Sequence, residues 1–412
     1  MLEIFFEDPS ALNRLRSGPS RPYIDGFAGR LKDEGYSWWT ARRYLRSAAH
    51  FGRFVGLEGS DLGCVDEDAP TAFGKRLPRC ECPQASGGMT EDTVRGARAF
   101  IGYLRSTGVI KPVDHEVPHE AQVVASFRRW LQQHRGAAES TRYHYCRAAA
   151  KLIDSLGDDP NEYNAQRLRS FILETARRSG PGATKTLITG VRAFLRYLAA
   201  VGRCRAGLDG AIPAVAGWRL ASLPRCLSVE EVSRILQACD TETMVGARDH
   251  SIILLLARLG LRAGDVTGLR FSDIDWTDAS IVISGKGRFE VRLPLSQEIG
   301  DALLKYLEYR PRTETDRVFL RAIAPFRPLG GSRSVSSVVA RAMRRTGISA
   351  PSYGAHILRH SAATQMLREG ASLYEVGAVL RHRCCDMTAY YAKVDVTLLK
   401  QVAQPWPEVL PC

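Results

Sequence analysis

An internal repeat limits what the first half of this 412-residue chain can fold into. Residues 40–49, TARRYLRSAA, match residues 141–150, TRYHYCRAAA, at an offset of 101 positions. Residues 94–108 match residues 187–202 at an offset of 94. Apolar residues in both copies recur at three-and-four spacing, which is typical of amphipathic helices. The repeat therefore predicts one helical module that is present twice.

The joins between these segments divide the chain into four parts. We expect a helical module over residues 1–112, its duplicate over 113–208, and a linker over 209–226, where two prolines and small residues replace the periodicity. The last part, residues 227–412, opens with Ser228 and two glutamates in the next turn, which is a favourable helix start.

One stretch of the last part has strand character. Residues 279–295, ASIVISGKGRFEVRLPL, alternate β-branched residues around Gly-Lys-Gly, which predicts a β-hairpin. The fold class that we expect is therefore mainly α with a small β-sheet, an α+β domain behind two similar helical modules.

The charge balance favours a polyanionic partner. The chain carries 57 Lys and Arg against 44 Asp and Glu, a formal net charge of +13, and the usual partner of such a chain is nucleic acid. Residues 1–112 contain 16 basic and 14 acidic residues, whereas residues 113–222 contain 16 and 10. We therefore expect the second module to hold double-stranded DNA. The candidate phosphate-binding residues lie on its predicted helices, and for each of them a merely solvated helix face is the alternative: Arg142, Arg147, Lys151, Lys185, Arg192 and Arg196.

Several other classes of protein are disfavoured. The N-terminus lacks the basic start and apolar run of a signal peptide, and the apolar stretch SIILLLARLGL is too short to span a bilayer. Ten cysteines are scattered without the spacing of a disulfide scaffold, which indicates reduced thiols. We expect a cytoplasmic, nucleoid-associated protein without a membrane partner.

Four stretches of the last part carry the chemistry: LGLRAGDVTGLR (259–270), ISGKGRFEVRLPL (283–295), HILRHSAATQML (356–367) and VLRHRCCDMTAYYAK (379–393). In this order and spacing they resemble the catalytic domain of the tyrosine recombinases, the phage integrase family. That pattern runs G-L-R-x-x-E, a hairpin G-K-G, H-x-L-R-H, L-G-H, and a nucleophilic tyrosine nine residues later. Tyr391 lies nine residues after His382 and completes T-x-x-Y with Thr388. Of the adjacent tyrosines, Tyr391 is therefore the expected nucleophile and Tyr390 a packing neighbour.

The resemblance implies a catalytic set and a supporting pair. The catalytic set is Arg262, Lys286, His356, Arg359, His382 and Tyr391, and the supporting residues are Asp265 and His360. Two arginine forks can bind the non-bridging phosphate oxygens, and Lys286 can protonate the leaving 5′ oxygen. The histidines His356 and His382 are expected to orient the phosphate and assist proton transfer with Tyr391. The resemblance also assigns residues 113–208 to the core-binding type of helical (SAM-like) module.

Two positions depart from the family pattern. Asp265 stands where the pattern has Glu, and Arg381 replaces the glycine of L-G-H beside His382. An arginine in that place can reshape the turn that positions His382.

The function that the resemblance implies is site-specific recombination of the transposon or phage type, through a covalent 3′-phosphotyrosine that needs no cofactor and no metal. A type IB topoisomerase-like strand relaxer is one alternative, and a catalytically silent DNA-binding accessory protein is another. Recombination pairs two sites, so the resemblance implies an oligomer, a tetramer on synapsed DNA. The apolar segment 396–412 is the expected docking element between subunits, with folding back onto its own domain as the alternative.

Overall fold

The computed structural model describes residues 1–80, 90–110, 119–215, 225–284, 290–350, 352–382 and 385–394. The α-helices are α1 (Pro9–Leu15), α2 (Arg21–Asp33), α3 (Trp38–Leu57), α4 (Ala69–Arg76), α5 (Thr90–Ser106), α6 (His119–Arg135), α7 (Glu139–Leu156), α8 (Ala165–Arg178), α9 (Pro181–Ala200), α10 (Val229–Gln237), α11 (Met244–Arg258), α12 (Ala263–Gly268), α13 (Gln297–Tyr309), α14 (Ser332–Arg345), α15 (Ala355–Arg368), α16 (Leu373–Val379) and α17 (Cys385–Ala389). The strands are β1 (Ile274–Asp275), β2 (Ser280–Ser284) and β3 (Glu290–Pro294). The predicted class, mainly α with a small sheet, is confirmed.

The repeated segments form the same helix pair in each copy. In the first copy α3 packs on α5, and in the second α7 packs on α9. A Cβ added to Gly96 would lie 2.7 Å from the Cβ of Ser47, and one added to Gly190 would lie 2.7 Å from the Cβ of Ala148. Because Ser47 and Ala148 are equivalent positions of the repeat, both pairs use a glycine at the same crossing to bring the helices together.

Each copy has its own apolar core. Phe27, Leu45 and Phe100 are among the buried residues of the first, and Phe127, Leu152 and Phe194 are among those of the second. The chain divides into two compact units, residues 1–112 with 222–412 and residues 113–221.

The beginning of the predicted linker packs onto the second helical unit. Residues Leu208–Ala211 form a 3₁₀ turn, and Ile212 is buried in the same core as α9. Nη2 of Arg192 donates to the carbonyl oxygen of Ile212 at 2.8 Å. Residues 216–224, the greater part of the remaining linker, lie outside the described residues.

The last part of the chain is built around α11. Its run of apolar residues, from Ile252 to Leu256, is completely buried because α13 and α15 pack against it. The helix before it begins at the predicted place: Ser228 accepts from the backbone of Glu231, whose carboxylate accepts from the backbone of Ser228. No helix among the described residues is long and apolar enough to cross a membrane.

The predicted hairpin is confirmed in the antiparallel sheet, whose strand order is β1-β2-β3. Ile281 pairs with Leu293, and Ser284 pairs with Glu290 at the end of the ladder. Residues 285–289, which include Lys286, lie outside the described residues. The apolar tail, residues 396–412, lies outside them as well.

Candidate active site

Arg262 is placed by the start of α12. The carboxylate of Asp265, three residues on, accepts from the backbone N–H of Arg262 at 2.8 Å, which closes the first turn of this short helix. Nη2 of Arg262 donates to the carbonyl oxygen of Arg381 at 3.0 Å. The first predicted arginine is thereby tied to the turn that precedes His382.

Arg359 comes from α15 and is buried, with 5% of its surface exposed. Its guanidinium donates to the carbonyl oxygens of Gly260 and Leu380, so one side chain joins the segment before α12 to the end of α16. His356 and His360 lie one helical turn apart on the same helix, with ring centroids separated by 6.1 Å. Of these two, His356 is exposed and His360 is half-buried.

The turn after α16 keeps a glycine-type conformation although it contains Arg381. Arg381 has φ of 55°, its N–H donates to the carbonyl oxygen of Ala378, and the N–H of His382 donates to that of Gly377. This is the hydrogen-bond pattern of a Schellman motif, which normally places glycine at the left-handed position. The substitution therefore preserves the turn. Nδ1 of His382 lies 2.8 Å from the hydroxyl oxygen of Thr388 on α17.

Tyr391 follows α17 and is only 3% exposed. Its hydroxyl oxygen lies 2.7 Å from Nδ1 of His360, and its ring lies parallel to that of His382 with centroids 6.1 Å apart. Tyr390 is partly exposed, and its ring lies 5.9 Å from that of His360. The two adjacent tyrosines thus differ in burial, and both contact His360.

Burial, together with repulsion between neighbouring cations, disfavours the charged forms of these groups. Burial raises the pKa of Tyr391 to about 12, against the opposing effect of Arg359. Burial, assisted by Arg262, lowers the pKa of Arg359 to about 10. The pKa values of His360 and His382 are lowered to about 4, chiefly by burial, with nearby cations adding to the effect. A bound anion would relieve this repulsion, so the site is suited to a phosphate.

The structure brings five of the six predicted catalytic residues to one place. His356 and Arg359 lie on α15, and Arg262 lies at the start of α12. His382 precedes α17, and Tyr391 follows it. The sixth, Lys286, lies outside the described residues. Of the three histidines, it is His360, predicted only as a supporting residue, that contacts the hydroxyl of Tyr391.

Sequence reasoning missed two contacts. Thr388 holds His382, and its place in T-x-x-Y, three residues before the tyrosine, was the available signal. Arg381 pairs with Asp265 at 2.5 Å, which joins the two departures from the family pattern.

The predicted phosphate-binding residues of the second helical module fall into two groups. Arg142 pairs with Glu139, Arg192 donates to the carbonyl oxygen of Ile212, and Arg196 pairs with Asp209. The second group is exposed, and the described part of the chain gives these side chains no ion pair or hydrogen bond: Arg147, Lys151 and Lys185.

Comparison with known proteins indicates the family and the fold. A model of the phage integrase family matches residues 225–397. A putative integrase/recombinase, y4rA of Sinorhizobium fredii, is 36% identical over 98% of this chain and 99% of the relative. Tyrosine recombinase XerD of Listeria monocytogenes is 28% identical over 68% of this chain and 96% of the relative. A crystal structure of a lambda integrase dimer bound to a COC′ core site shares the fold, with a TM-score of 0.53, 18% identity, and coverage of 70% of this chain and 98% of that one.

The helical fold with its small hairpin sheet is that of the tyrosine recombinase catalytic domains. The chain belongs to the phage integrase family, and its enzyme class is that of the tyrosine site-specific recombinases.

Proposed function

We propose that the protein recombines specific DNA sites by cutting a strand with Tyr391 and holding its 3′ end as a phosphotyrosine. The observation that carries this proposal is the buried hydroxyl of Tyr391 at a site formed by Arg262, Arg359 and two histidines of lowered pKa. Such a site favours an incoming phosphate, since the anion compensates the clustered cations. Preorganised donors of this kind contribute about 3–4 kcal/mol each to lowering a reaction barrier.

The chemical step balances without any further reagent. The Tyr391 oxygen bonds to phosphorus, the bond from phosphorus to the 5′ oxygen breaks, and the phenolic proton passes to Nδ1 of His360. Lys286 supplies the proton that the leaving 5′ oxygen takes up. Religation reverses these transfers onto the 5′ hydroxyl of another strand, so the energy of the phosphodiester bond is conserved in the covalent intermediate.

His360 has the protonation state that this step requires. With a pKa of about 4 it is neutral at pH 7, so the Nδ1 that faces the phenol can accept its proton. Tyr391, with a pKa raised to about 12, is protonated at neutral pH before DNA binds. We infer that DNA binding and nucleophile activation are coupled, because the phosphate brings the negative charge that stabilises a protonated His360.

Two helical modules ahead of the catalytic domain support DNA as the partner. We propose that residues 1–112 and 113–208 each form one module. The second is the main phosphate-binding module, because the exposed residues Arg147, Lys151 and Lys185 lie on its helix pair, α7 and α9. Such contacts position the protein on the duplex without reading its sequence.

We propose that four subunits act on two paired sites. Strand exchange between two duplexes requires four cleavages, and the lambda integrase structure contains a dimer on one core site. Activity on chromosomal DNA would place the protein with the nucleoid in the cytoplasm.

The decisive experiment uses a nicked suicide duplex that contains the protein's site. The expected result is a covalent adduct that Tyr391→Phe abolishes without loss of DNA binding. An adduct-free wild-type protein that still binds the duplex would instead support a silent accessory protein. Relaxation of a supercoiled plasmid that lacks the site would support the topoisomerase alternative.

A further inference from the structure

The two departures from the family pattern form one ion pair. Nη2 of Arg381 lies 2.5 Å from Oδ2 of Asp265, and the two side chains are 6% and 12% exposed. These residues are 116 positions apart in the chain, so the pair exists only in the folded site.

Arg381 occupies a backbone conformation that an arginine adopts only when its surroundings require it. Its φ of 55° lies in the left-handed region, where glycine is favoured because a Cβ crowds the following carbonyl oxygen. A glycine here would form the same turn without strain. The strained arginine is therefore held by its side chain, whose described partner is Asp265.

The carboxylate of Asp265 serves two groups at once. The same oxygen, Oδ2, accepts from Nη2 of Arg381 and from the backbone N–H of Arg262. Arg381 therefore neutralises the carboxylate that holds the backbone of Arg262, the residue whose guanidinium is expected to bind the phosphate. The backbone of the same turn supports the site further: the carbonyl oxygen of Arg381 accepts from Nη2 of Arg262, and that of Leu380 accepts from Arg359.

The rest of the Arg381 guanidinium is also buried. Its Nε and Nη1 have no hydrogen-bond partner among the described residues. Among the described residues, the charge of this guanidinium is therefore compensated by Asp265.

We propose that Arg381 is a positioning residue for strand cleavage, which neutralises Asp265 and thereby keeps Arg262 directed at the scissile phosphate. This inference rests on the proposed function of the site. It assigns a role to a residue that the family pattern would leave as glycine.

The test compares single and double variants in single-turnover cleavage of the nicked suicide duplex. In Arg381→Gly the turn keeps its preferred residue but Asp265 loses its partner, so the cleavage rate at saturating protein should fall about tenfold or more while the DNA dissociation constant changes less than about twofold. Adding Asp265→Asn, which keeps an oxygen acceptor for the Arg262 N–H, should restore the rate about fivefold over the single variant. Arg381→Lys should retain most activity because it still neutralises the carboxylate.

The controls separate this role from folding. Arg312→Gly makes the same substitution at an exposed loop position and should cleave like the wild type. Thermal unfolding shows whether Arg381→Gly folds, because the variant leaves the mostly buried carboxylate of Asp265 without its partner. If this variant does not fold, Arg381→Asn, which also accepts the left-handed conformation, replaces it.

The outcomes distinguish failure of the proposed function from failure of the positioning role of Arg381. A wild-type protein that forms no adduct would overturn the proposed function itself. A wild-type adduct with undiminished cleavage by Arg381→Gly would overturn the positioning role alone. A double variant slower than Arg381→Gly would also overturn it, since the pair would then be structural.

Discussion

The hydroxyl oxygen of Tyr391 lies 2.7 Å from Nδ1 of His360, a residue of α15 that is 31 positions earlier in the chain. This contact positions the buried phenol, and in the tautomer of His360 that is protonated at Nε2, Nδ1 can accept the phenolic proton. It also links the segment after α17 to α15, the helix that carries Arg359.

The first prediction concerns the nucleophile. Tyr391→Phe should abolish covalent attachment to a suicide duplex while leaving the dissociation constant for DNA unchanged, because only the attacking oxygen is removed. Tyr390→Phe is the matched control and should retain most activity, since its ring still packs on His360. A dead Tyr390→Phe with a live Tyr391→Phe would show that the assignment is wrong by one residue.

The second prediction concerns pH. A protonated His360 cannot accept the phenolic proton, so single-turnover cleavage should decline as the pH falls toward the pKa of His360. That pKa is about 4 in the DNA-free protein, and a bound phosphate raises it, so the decline should lie above pH 4.

The measurement is the cleavage rate against pH for the wild type and His360→Asn. The variant should be slower by about 10²–10⁴ at neutral pH and should lose the acid limb of the profile. His250→Gln is the control, because His250 is also a histidine whose pKa is lowered by burial, but it lies on α11. An acid limb that persists in His360→Asn would assign the proton to another group.

Much of this site could be predicted from the sequence because its signals are local. H-x-x-R places His356 and Arg359 on one helix face, and the resemblance to the family pattern, through T-x-x-Y and the spacing from His382, indicates Tyr391 as the nucleophile. The hairpin also followed from alternation over a few residues, since strand periodicity needs no tertiary information.

The contacts between distant segments could not be predicted in the same way. Spacing puts His356 and His360 one turn apart but does not tell which of them a tyrosine from another segment will meet. Asp265 and Arg381 each depart from the family pattern, but the sequence does not indicate that their side chains contact each other. Ile212 and its neighbours lack periodicity, yet they pack on α9 because tertiary burial overrides a weak local signal.

The third prediction concerns Lys286. Lys286→Ala should cleave a normal substrate very slowly, because the leaving 5′ oxygen would depart unprotonated. A substrate with sulfur at the 5′ bridging position should restore cleavage, since a thiolate leaves without a proton. Arg262→Ala is the control that sulfur should not rescue. Equal rescue of both variants, or of neither, would remove Lys286 from the general-acid role.

The fourth prediction concerns assembly. Deleting residues 396–412, an apolar segment with prolines, should leave single-site binding nearly intact but impair synapsis of two sites. Gel-shift titration on one site and a two-site recombination assay separate the effects. A truncated protein that recombines two sites at the normal rate would contradict the role of the tail in subunit docking.

The last prediction concerns DNA binding by the second helical module. Ala at Arg147, Lys151 and Lys185 together should weaken binding to any DNA sequence, because phosphate contacts carry no sequence information. Each lost contact should reduce the slope of log K against log salt by ~0.9, so the triple variant should lose about 3 in slope.

Ala at Arg192 or Arg196 should change this slope little, since these side chains are engaged with Ile212 and Asp209. A charge-retaining triple variant, Arg147→Lys with Lys151→Arg and Lys185→Arg, is the matched control and should keep the wild-type slope. An unchanged slope in the alanine triple variant would show that these exposed residues of α7 and α9 face away from DNA.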